Sequence, residues 1–301
     1  MFKPKRVGVL LGSDCNFNCK YCFRPNEKLK LPAQLSDRLK KYLSSVSSEW
    51  CESVVCTGGE TLLYFDLIKE VFSYVPKNQH KVILTNGSLL TQEIVNYVNE
   101  NDIEVHLSYD GEQTKFLRGV DVLENPKILN LVKQIKVLMV FSVITSYNPS
   151  IKENYEYVKD KLQRDDFIYL CAPMIDHEST RWLIKNFDYD MFYRETWYFL
   201  QHIYKKTPYY HTIDNVATFE GGVIDLDGNV RDLYSLEPIG TIDDSANRIL
   251  MKFSDKGFYN YCKNNNCLMK GFCRKAKQIA SEHICKCVRI RGDFFNAQNS
   301  V

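Results

Sequence analysis

The sequence lacks a long apolar run, a strong charge excess and a secretion signal. No apolar stretch approaches the roughly 18 residues of a membrane span, and no signal-peptide hydrophobic region stands near the N-terminus. The formal net charge of +2 gives no electrostatic basis for nucleic acid as the main partner. We therefore expect a cytoplasmic protein that binds neither a membrane nor nucleic acid.

Cysteine, in contrast, is plentiful. The chain has 11 cysteines among 301 residues, and a reducing cytoplasm keeps thiols out of disulfides. Metal ligation is therefore the favoured use of cysteines that lie close together in the sequence. With 45% hydrophobic and 25% charged residues, the composition is otherwise that of an ordinary globular protein able to bury a core.

Three of the cysteines follow a short apolar run near the N-terminus. Cys15, Cys19 and Cys22 have the spacing C-x3-C-x2-C, and residues 7–11 before them have the pattern of a β-strand. Thiolates on one loop can converge on one inorganic centre, an iron–sulfur cluster or a zinc ion. Structural zinc sites and electron-carrying clusters usually take four protein ligands. Three local cysteines therefore leave one position open for a substrate or cosubstrate.

This motif, with Tyr21 before its last cysteine, resembles the signature of the radical S-adenosylmethionine (SAM) superfamily. The resemblance implies that the three thiolates hold a [4Fe–4S] cluster, whose fourth iron binds the amino and carboxylate groups of SAM. It also implies that an electron, from a donor such as flavodoxin or ferredoxin, leads to cleavage of SAM. The products are methionine and a 5′-deoxyadenosyl radical, which takes hydrogen from the substrate. A zinc site or unrelated loop cysteines are the alternatives.

Strand and helix patterns alternate through the first 171 residues. Six stretches have strand character, at residues 7–11, 52–56, 81–85, 103–109, 137–144 and 167–171. Amphipathic helical patterns separate them. The repeats predict an α/β fold, in which a parallel sheet curls into a partial (β/α)6 barrel similar to a TIM barrel. Active sites of such barrels lie at the carboxyl ends of the strands, where the cysteine motif stands.

The loops after later strands extend the resemblance. Residues 57–60, Thr-Gly-Gly-Glu, resemble the GGE motif of the family, in which glycines allow close backbone approach and a carboxylate or carbonyl accepts from the SAM ammonium. Residues 108–111, Ser-Tyr-Asp-Gly, resemble a stretch of the peptide- and protein-modifying subgroup with SPASM or twitch C-terminal domains. The implied SAM-binding residues are Tyr21, Gly58, Gly59, Glu60, Asn86, Ser108, Asp110 and Arg118.

Several roles stay open within this set. The resemblance implies that Arg118 pairs with the SAM carboxylate, a task that suits a guanidinium, and a solvated surface arginine is the alternative. Asp110 is expected to contact SAM or the substrate. One of the three residues Ser142, Thr145 and Asn148 is expected to reach the ribose, and the pattern does not choose among them. For the glycine loop and for Asn86, a plain turn is the alternative.

Cys171 stands apart from the motif, near the end of the sixth predicted strand. A thiol facing the barrel mouth is a candidate hydrogen-atom donor to a substrate radical, as in peptide epimerases of the superfamily. Free cysteine is also among the most buried residue types, and we favour a packing role. Cys51 and Cys56 flank the second strand and are interpreted as structural.

The pattern divides the chain into three parts. Residues 1–179 form the radical SAM partial barrel, residues 180–215 an aromatic-rich helical bridge, and residues 216–301 a small cysteine-rich domain similar to SPASM or twitch domains. Residues 218–234 predict a hairpin around Asp227-Gly228. Two cysteines that the subgroup usually has in this region are missing, which excludes a cluster held by that pair.

Five cysteines follow in the last part of the chain. They are Cys262, Cys267, Cys273, Cys285 and Cys287. Four of them suffice for one auxiliary [4Fe–4S] cluster, which is our interpretation, with structural zinc as the rival. The spacing does not say which cysteine is the spare one.

The function expected from the resemblance is hydrogen abstraction from a precursor peptide. The outcome is epimerisation, a thioether or a carbon–carbon crosslink, and the sequence does not decide between them. A radical SAM enzyme that acts on a non-peptide small molecule is the alternative. A non-catalytic iron–sulfur or zinc redox sensor is an alternative of another class, and the loops at residues 57–60 and 108–111 speak against it because a sensor needs no SAM site.

Overall fold

The computed structural model describes residues 1–22, 29–174, 178–202, 222–232, 236–245 and 248–249. Six strands lie side by side in chain order: β1 Arg6–Leu10, β2 Ser53–Thr57, β3 His80–Thr85, β4 Glu104–Ser108, β5 Leu138–Ile144 and β6 Ile168–Pro173. Each of these strands is parallel to its neighbours. The six predicted strands are thus confirmed, with ends that differ by one or two residues, and the fold is α/β.

Helices separate the strands. They are α1 Asp37–Ser44, α2 Phe65–Tyr74, α3 Gln92–Glu100, α4 Thr114–Arg118, α5 Pro126–Lys133 and α6 Ile151–Leu162, with α7 Tyr189–His202 after β6. Side-chain oxygens of Ser36, Thr91 and Ser150 cap the first turns of α1, α3 and α6 by accepting backbone N–H bonds. The periodicity does not predict α4, because its five residues are too few to show a repeat. In the part of the chain that the structure describes, no helix is long and apolar enough to cross a membrane.

The sheet has two different faces. Five helices, α1, α2, α3, α5 and α6, pack on the covered face in one apolar core whose strand residues include Val9, Cys56, Ile83, Val105 and Val140. Full burial of such a side chain contributes about 1.5–3 kcal/mol. Alternate strand residues point to the opposite side, which we call the inner face. The inner face carries Arg6, Ser53, His80, His106 and Phe141, and Ser53 is the register partner of both Arg6 and His80.

Three short strands continue the sheet beyond β1. They are β7 Val223–Ile224, β8 Asn229–Arg231 and β9 Pro238–Thr241. Ile224 pairs with Val9 in parallel, and the other two strands follow antiparallel. Gly228 has a φ of 82°, a left-handed conformation that glycine adopts without strain, and the hairpin predicted around Asp227-Gly228 is confirmed. The described part of residues 216–301 therefore joins the same sheet as the six parallel strands.

One buried carboxylate organises this hairpin. Asp225 is 0% exposed, and its oxygens accept from Arg231 Nε at 2.6 Å and from the backbone N–H of Asn229 at 2.9 Å. We expect Asp225→Ala to lower the free energy of unfolding by about 2–4 kcal/mol, because the guanidinium loses its partner inside the protein. Urea denaturation measures the change.

A surface ion pair provides the matched control for this prediction. Asp243, whose side chain is 75% exposed, pairs with Arg38 at 2.5 Å. Asp243→Ala should cost less than about 1 kcal/mol, as exposed pairs usually do. Equal losses for the two variants would contradict a structural role for Asp225 in the hairpin.

Candidate active site

The cysteine loop, residues 11–22, follows β1 at the edge of the sheet where the carboxyl ends of the parallel strands meet. Cys15 and Cys22 are exposed and Cys19 is partly buried. Burial raises the pKa of the Cys19 thiol to about 11; Arg118 opposes this rise, and the nearby Cys22 and Cys15 add to it. The thiols of Cys15 and Cys22 therefore lie near that of Cys19.

The three thiols of Cys15, Cys19 and Cys22 are donors that suit an inorganic centre with several thiolate ligands. Burial raises the pKa of Cys15, and the backbone N–H of Phe17 donates to its Sγ at 3.4 Å. Within the described ranges, no three or more His, Cys, Asp or Glu side chains are spaced as an assembled metal site. Because ligation needs thiolates, a bound centre must displace the thiol protons and draw the sulfurs together.

The loop after β2 packs directly on the cysteine loop. The N–H of Gly59 donates to the Gly12 carbonyl at 3.0 Å, and the N–H of Glu60 donates to the Asp14 carbonyl at 2.8 Å. A Cβ on Gly58 would lie 2.5 Å from the Gly12 oxygen, and one on Gly59 would lie 2.1 Å from the Asp14 oxygen. Both glycines are thus needed where two backbones touch, whereas the sequence interpretation assigned the close approach to a ligand.

The Glu60 carboxylate points into the protein. It is 0% exposed and accepts from the Thr85 hydroxyl at 2.6 Å, the Asn86 N–H at 2.7 Å and the Leu62 N–H at 2.9 Å. Burial raises the pKa of Glu60, and these three hydrogen bonds oppose the rise. The side chain therefore ties the loop after β2 to the loop after β3.

Asn86 joins the loop after β3 to the cysteine loop. Its Nδ2 donates to Asn16 Oδ1 at 2.9 Å, and its Oδ1 accepts from the Ser88 N–H at 2.9 Å. Asn16 in turn donates to Ser88 Oγ at 2.8 Å. The sequence interpretation missed Asn16 and Ser88. For Asn16, its position between Cys15 and Cys19 was the only signal.

Tyr21, Asp110 and Arg118 form a buried polar group that we call the Tyr–Asp–Arg cluster. Asp110 is 0% exposed, lies 2.8 Å from Arg118 Nε and accepts from Arg118 Nη2 at 3.1 Å. The Tyr21 hydroxyl also donates to Asp110, and the guanidinium lies 5.3 Å from the centre of the Tyr21 ring. Burial alone would lower the pKa of Arg118, but the charge of Asp110 outweighs burial and raises it.

This cluster connects three segments around the site. Tyr21 belongs to the cysteine loop, Asp110 follows β4, and Arg118 ends α4. The backbone N–H of Val143 in β5 also donates to Asp110, at 2.8 Å. The N–H of Lys20 donates to the Leu117 carbonyl at 2.9 Å, which holds α4 against the cysteine loop.

The remaining expected contacts fall into two groups. Ser108 is half-buried, lies at the end of β4 on the same face as His106, and its hydroxyl has no hydrogen bond within the described part of the chain. Ser142, Thr145 and Asn148 are buried instead, and each is committed to the protein. Ser142 donates to the Tyr109 carbonyl at 2.6 Å, Thr145 to Asn148 Oδ1 at 2.6 Å, and Asn148 to the Val143 carbonyl at 2.9 Å.

The position of Cys171 in the structure agrees with the packing role that we favoured for it over a thiol at the barrel mouth. Cys171 is 8% exposed, pairs with Ser142, and lies two positions from Tyr169 on the same strand. Tyr169 and Tyr155 of α6 have ring centres 5.7 Å apart, so this face of β6 is the covered one. The Cys171 thiol therefore packs on the helix side rather than facing the inner face, because side chains alternate along a strand.

The five cysteines of the last part of the chain, Cys262, Cys267, Cys273, Cys285 and Cys287, lie outside the described residues. The interpretation of an auxiliary cluster stays a prediction.

The sequence model of the radical SAM superfamily matches residues 9–164, more than half of the chain. The chain belongs to the radical SAM superfamily, and it is an enzyme of that superfamily. Membership implies SAM and a [4Fe–4S] cluster as cofactors, as the resemblance of the cysteine motif implied.

Curated relatives share parts of the sequence. An uncharacterised protein of Methanocaldococcus jannaschii is 27% identical over 51% of this chain and 58% of its own length. The radical SAM cyclopropyl synthase TigE of Paramaledivibacter caminithermalis is 24% identical over 57% of this chain and 38% of its own. The chain thus spans about half the length of these two. A cysteine-type anaerobic sulfatase-maturating enzyme of Clostridium novyi is 22% identical over 88% of this chain and 86% of its own.

Solved structures share the fold. The protein anSMEcpe with bound AdoMet is 20% identical with a TM-score of 0.66, and covers 98% of this chain and 96% of its own. The same protein was also solved with AdoMet and the Cp18Cys peptide, at a TM-score of 0.61 and 19% identity, covering 98% and 99%. SuiB of Streptococcus suis bound to the precursor peptide SuiA has a TM-score of 0.59 at 17% identity, covering 91% and 71%.

The contact between the cysteine loop and the loop after β2 can be tested by adding one methyl group at residue 59. A Cβ at residue 59 would meet the Asp14 oxygen, which is backbone and cannot rotate away. We expect Gly59→Ala to cost about 1–3 kcal/mol in the free energy of unfolding and to lower the iron bound per chain after anaerobic reconstitution. Gly119→Ala is the control: it has a φ of 85° but no atom within 4 Å, so it should lose about 1 kcal/mol and keep its iron. Full iron content in Gly59→Ala would contradict the account.

The Tyr–Asp–Arg cluster can be tested by removing its negative charge. Asp110→Asn leaves the Arg118 guanidinium buried without a counter-charge, and we expect a loss of about 3–5 kcal/mol in the free energy of unfolding. The exposed pair of Glu124 and Lys115, at 2.9 Å, offers the control, because Glu124→Gln should change stability by less than about 1 kcal/mol. Chemical denaturation that shows equal losses would mean that Asp110 and Arg118 are solvated rather than paired.

Proposed function

We propose that this enzyme takes a hydrogen atom from a peptide, in the maturation of a ribosomally made precursor. The observation that carries the proposal is the cysteine loop, held by backbone contacts and by the Tyr–Asp–Arg cluster at the carboxyl edge of six parallel strands. When bound, the [4Fe–4S] cluster and SAM would together supply a 5′-deoxyadenosyl radical. The chain's residues bind these groups, orient them and keep water away.

Cys15, Cys19 and Cys22 are the proposed ligands of the cluster. The thiols of Cys15 and Cys22 lie near that of Cys19, which supports convergence on one centre, and three thiolates leave one iron free for SAM. Arg118 and Asp110 lie near Cys19 with opposite effects on its pKa, so their pair adds little net charge beside the cluster. Tyr21 shields it from water on one side.

The proposed SAM site is formed by the loops after β2, β3 and β4. Ser108 is the best placed side chain for direct contact, since it is only half-buried on the inner face and its hydroxyl has no hydrogen bond with the residues that the structure describes. The backbone carbonyls of Gly58 and Gly59 are the proposed acceptors for the SAM ammonium, since the N–H of Gly59 already donates to Gly12. Glu60, Asn86, Asp110 and Arg118 support the site mainly by holding the loops, because internal hydrogen bonds occupy them.

A peptide substrate is supported by the relatives. The anSMEcpe and SuiB structures contain bound peptides and have the same fold, and the sulfatase-maturating relative spans most of this chain. We propose that the peptide lies along the inner face, within a partial (β/α)6 barrel. Epimerisation, thioether formation and carbon–carbon crosslinking all begin with this hydrogen abstraction.

The proposal also covers the domain organisation, a second cluster and the electron donor. We infer a partial barrel over residues 1–179, a helical bridge over 180–215, and a SPASM- or twitch-like domain over 216–301. Four of its five cysteines would hold one auxiliary [4Fe–4S] cluster. Flavodoxin or ferredoxin would deliver the electron to the first cluster.

Iron content and SAM cleavage test the proposal together. With dithionite and SAM under anaerobic conditions, the wild-type enzyme should carry roughly eight irons, four per cubane, and release 5′-deoxyadenosine. A Cys15→Ala, Cys19→Ala, Cys22→Ala variant should keep roughly four irons and release none. Cys51→Ala, at a buried position on the other end of β2, is the control and should behave as wild type.

The same assay includes a panel of synthetic peptides analysed by mass spectrometry. It pairs cysteine-containing peptides with serine counterparts, and wild-type enzyme should change the mass or the stereochemistry of at least one. Cleavage of SAM without any peptide product would favour a small-molecule substrate. If neither wild type nor variant cleaves SAM, the catalytic proposal fails and the redox sensor is favoured.

A further inference from the structure

Three exposed aromatic side chains that the proposed site does not use contact one another beside the cysteine loop. Phe116 of α4, Tyr147 after β5 and Trp182 after β6 are 38%, 45% and 45% exposed. The ring centre of Tyr147 lies 4.8 Å from that of Phe116 and 5.7 Å from that of Trp182, and the other two rings are 6.3 Å apart. Single exposed rings are common on protein surfaces, but rings in mutual contact form a continuous apolar surface of the kind that marks interaction sites.

Two lysines flank these rings. The Lys20 ammonium of the cysteine loop lies 5.1 Å from the centre of the Phe116 ring. Lys185 follows the short 3₁₀ helix Glu178–Ile184, and its N–H donates to the Trp182 carbonyl at 3.4 Å, so the two side chains, three residues apart, share one side of that helix. Both lysines are exposed, and neither forms an ion pair with any residue that the structure describes.

We call Lys20, Phe116, Tyr147, Trp182 and Lys185 the aromatic–lysine patch. Its net charge is positive. Lys115, which stands beside Phe116 in α4, adds little to this charge because it pairs with Glu124 at 2.9 Å.

The patch covers a small apolar cluster that belongs to the proposed site. Tyr21, Leu117, Met174 and Leu183 form this cluster, and Cys19 packs against it. Three residues of the patch stand in the chain one position before a member of the cluster, so the cluster lies directly beneath them. These three are Lys20, Phe116 and Trp182.

Backbone hydrogen bonds hold the segments of the patch together. The N–H of Lys20 donates to the Leu117 carbonyl at 2.9 Å, which joins the cysteine loop to α4. The N–H of Ser146 donates to the Leu183 carbonyl at 2.8 Å, which joins the loop after β5 to the 3₁₀ helix. A surface fixed in this way needs little ordering when a partner binds.

The apolar cluster also separates the patch from the inner face. Val143 of β5 has its side chain on the inner face, since it alternates with Ser142, and it packs against the cluster. A peptide that reaches the inner face therefore has no need to touch the exposed rings. A protein bound on the rings, in contrast, is separated from Cys19 by one layer of side chains.

The size and charge of the patch suit a transient, acidic protein partner. Electron-transfer complexes are among the smallest specific interfaces, and they bury less than about 1,200 Å². Opposite charges speed the encounter of such partners, and exposed lysines around an apolar centre favour a partner with carboxylates around its own contact surface.

We propose that the aromatic–lysine patch is the docking surface for an acidic redox protein that reduces the cluster on Cys15, Cys19 and Cys22. This inference rests on the proposed function. In the step one electron leaves the reduced flavin or iron–sulfur group of the partner and enters the enzyme's cluster. No bond forms or breaks, and no proton is transferred. Because electron transfer slows steeply with distance, docking one side-chain layer from Cys19 favours it.

Binding can be measured without SAM and without a peptide. Reconstituted full-length enzyme is titrated calorimetrically at low salt with an oxidised acidic flavodoxin and, separately, with an oxidised acidic ferredoxin. At least one should bind the wild type, and the Trp182→Ala, Tyr147→Ala double variant should bind it at least about tenfold more weakly, since central aromatic residues dominate interface energetics. Lys185→Glu should also weaken binding, and its loss should shrink at high salt because salt screens the charges.

An exposed aromatic residue elsewhere provides the matched control. Tyr198 of α7 is 43% exposed, and the Lys152 ammonium lies 5.7 Å from the centre of its ring. Tyr198→Ala should bind the redox protein as the wild type does.

The rate of SAM cleavage distinguishes docking from support of the site. With the reduced redox protein as the only electron donor, and below saturation, the double variant should release 5′-deoxyadenosine at least about tenfold more slowly, and excess donor should restore the rate. Dithionite is a small reductant that needs no docking surface, so with dithionite the double variant and the wild type should agree within about twofold.

Several results would overturn the proposal. They are failure of both redox proteins to bind the wild type, unchanged binding in the double variant, and an equal loss of SAM cleavage with dithionite, which would mean that the rings support the site. A raised KM for the peptide with dithionite would assign the patch to the substrate instead.

The failure of the proposed function gives a different set of results. If the wild type cleaves SAM but changes no peptide, the peptide substrate is wrong, while the binding and cleavage measurements still decide the docking surface. If the wild type cleaves no SAM with dithionite, the catalytic proposal is wrong, and the titration still shows whether the patch binds an acidic redox protein.

Discussion

The site depends on the contact between two backbones, the cysteine loop and the loop after β2. Two hydrogen bonds join them, from Gly59 to Gly12 and from Glu60 to Asp14, at 3.0 and 2.8 Å. A side chain on Gly58 or Gly59 would meet the backbone of the cysteine loop, so the approach needs glycine at both positions after β2. Because β1 and β2 are parallel neighbours, the sheet itself brings the two loops to the same edge.

Around this contact, buried polar side chains hold the other loops in place. Glu60 joins the β2 and β3 loops, Asn86 joins the β3 loop to Asn16, and Asp110 joins β4, α4 and Tyr21. Each is nearly or fully buried and uses its hydrogen-bonding atoms internally. A loop fixed in this way pre-organises its free backbone groups for a ligand, and it lowers the entropy that binding must overcome. Glu60, Asn86 and Asp110 resemble SAM-contacting residues of the family, and in this structure they can serve the site by holding its loops in position.

Local patterns predicted much of the fold and the place of the site. The six strands, most of the helices and the Asp227-Gly228 hairpin follow from hydrophobic period and turn chemistry. The direction in which a side chain points was harder to predict from the sequence. The Cys171 side chain turned out to face the helices because register and alternation decide that, and the sequence does not show register. The partners of Glu60 and Asp110 come from segments 26 and 89 residues away, which no local pattern could connect.

The central claim is that the three cysteines hold a cluster with one iron free for SAM. Electron paramagnetic resonance of the dithionite-reduced, reconstituted enzyme tests this most directly, with the spectrum recorded before and after addition of SAM. We predict a cluster signal that changes on SAM addition and that disappears in the variant without Cys15, Cys19 and Cys22. A cluster spectrum that SAM leaves unchanged, or one that survives unaltered in that variant, would contradict the account.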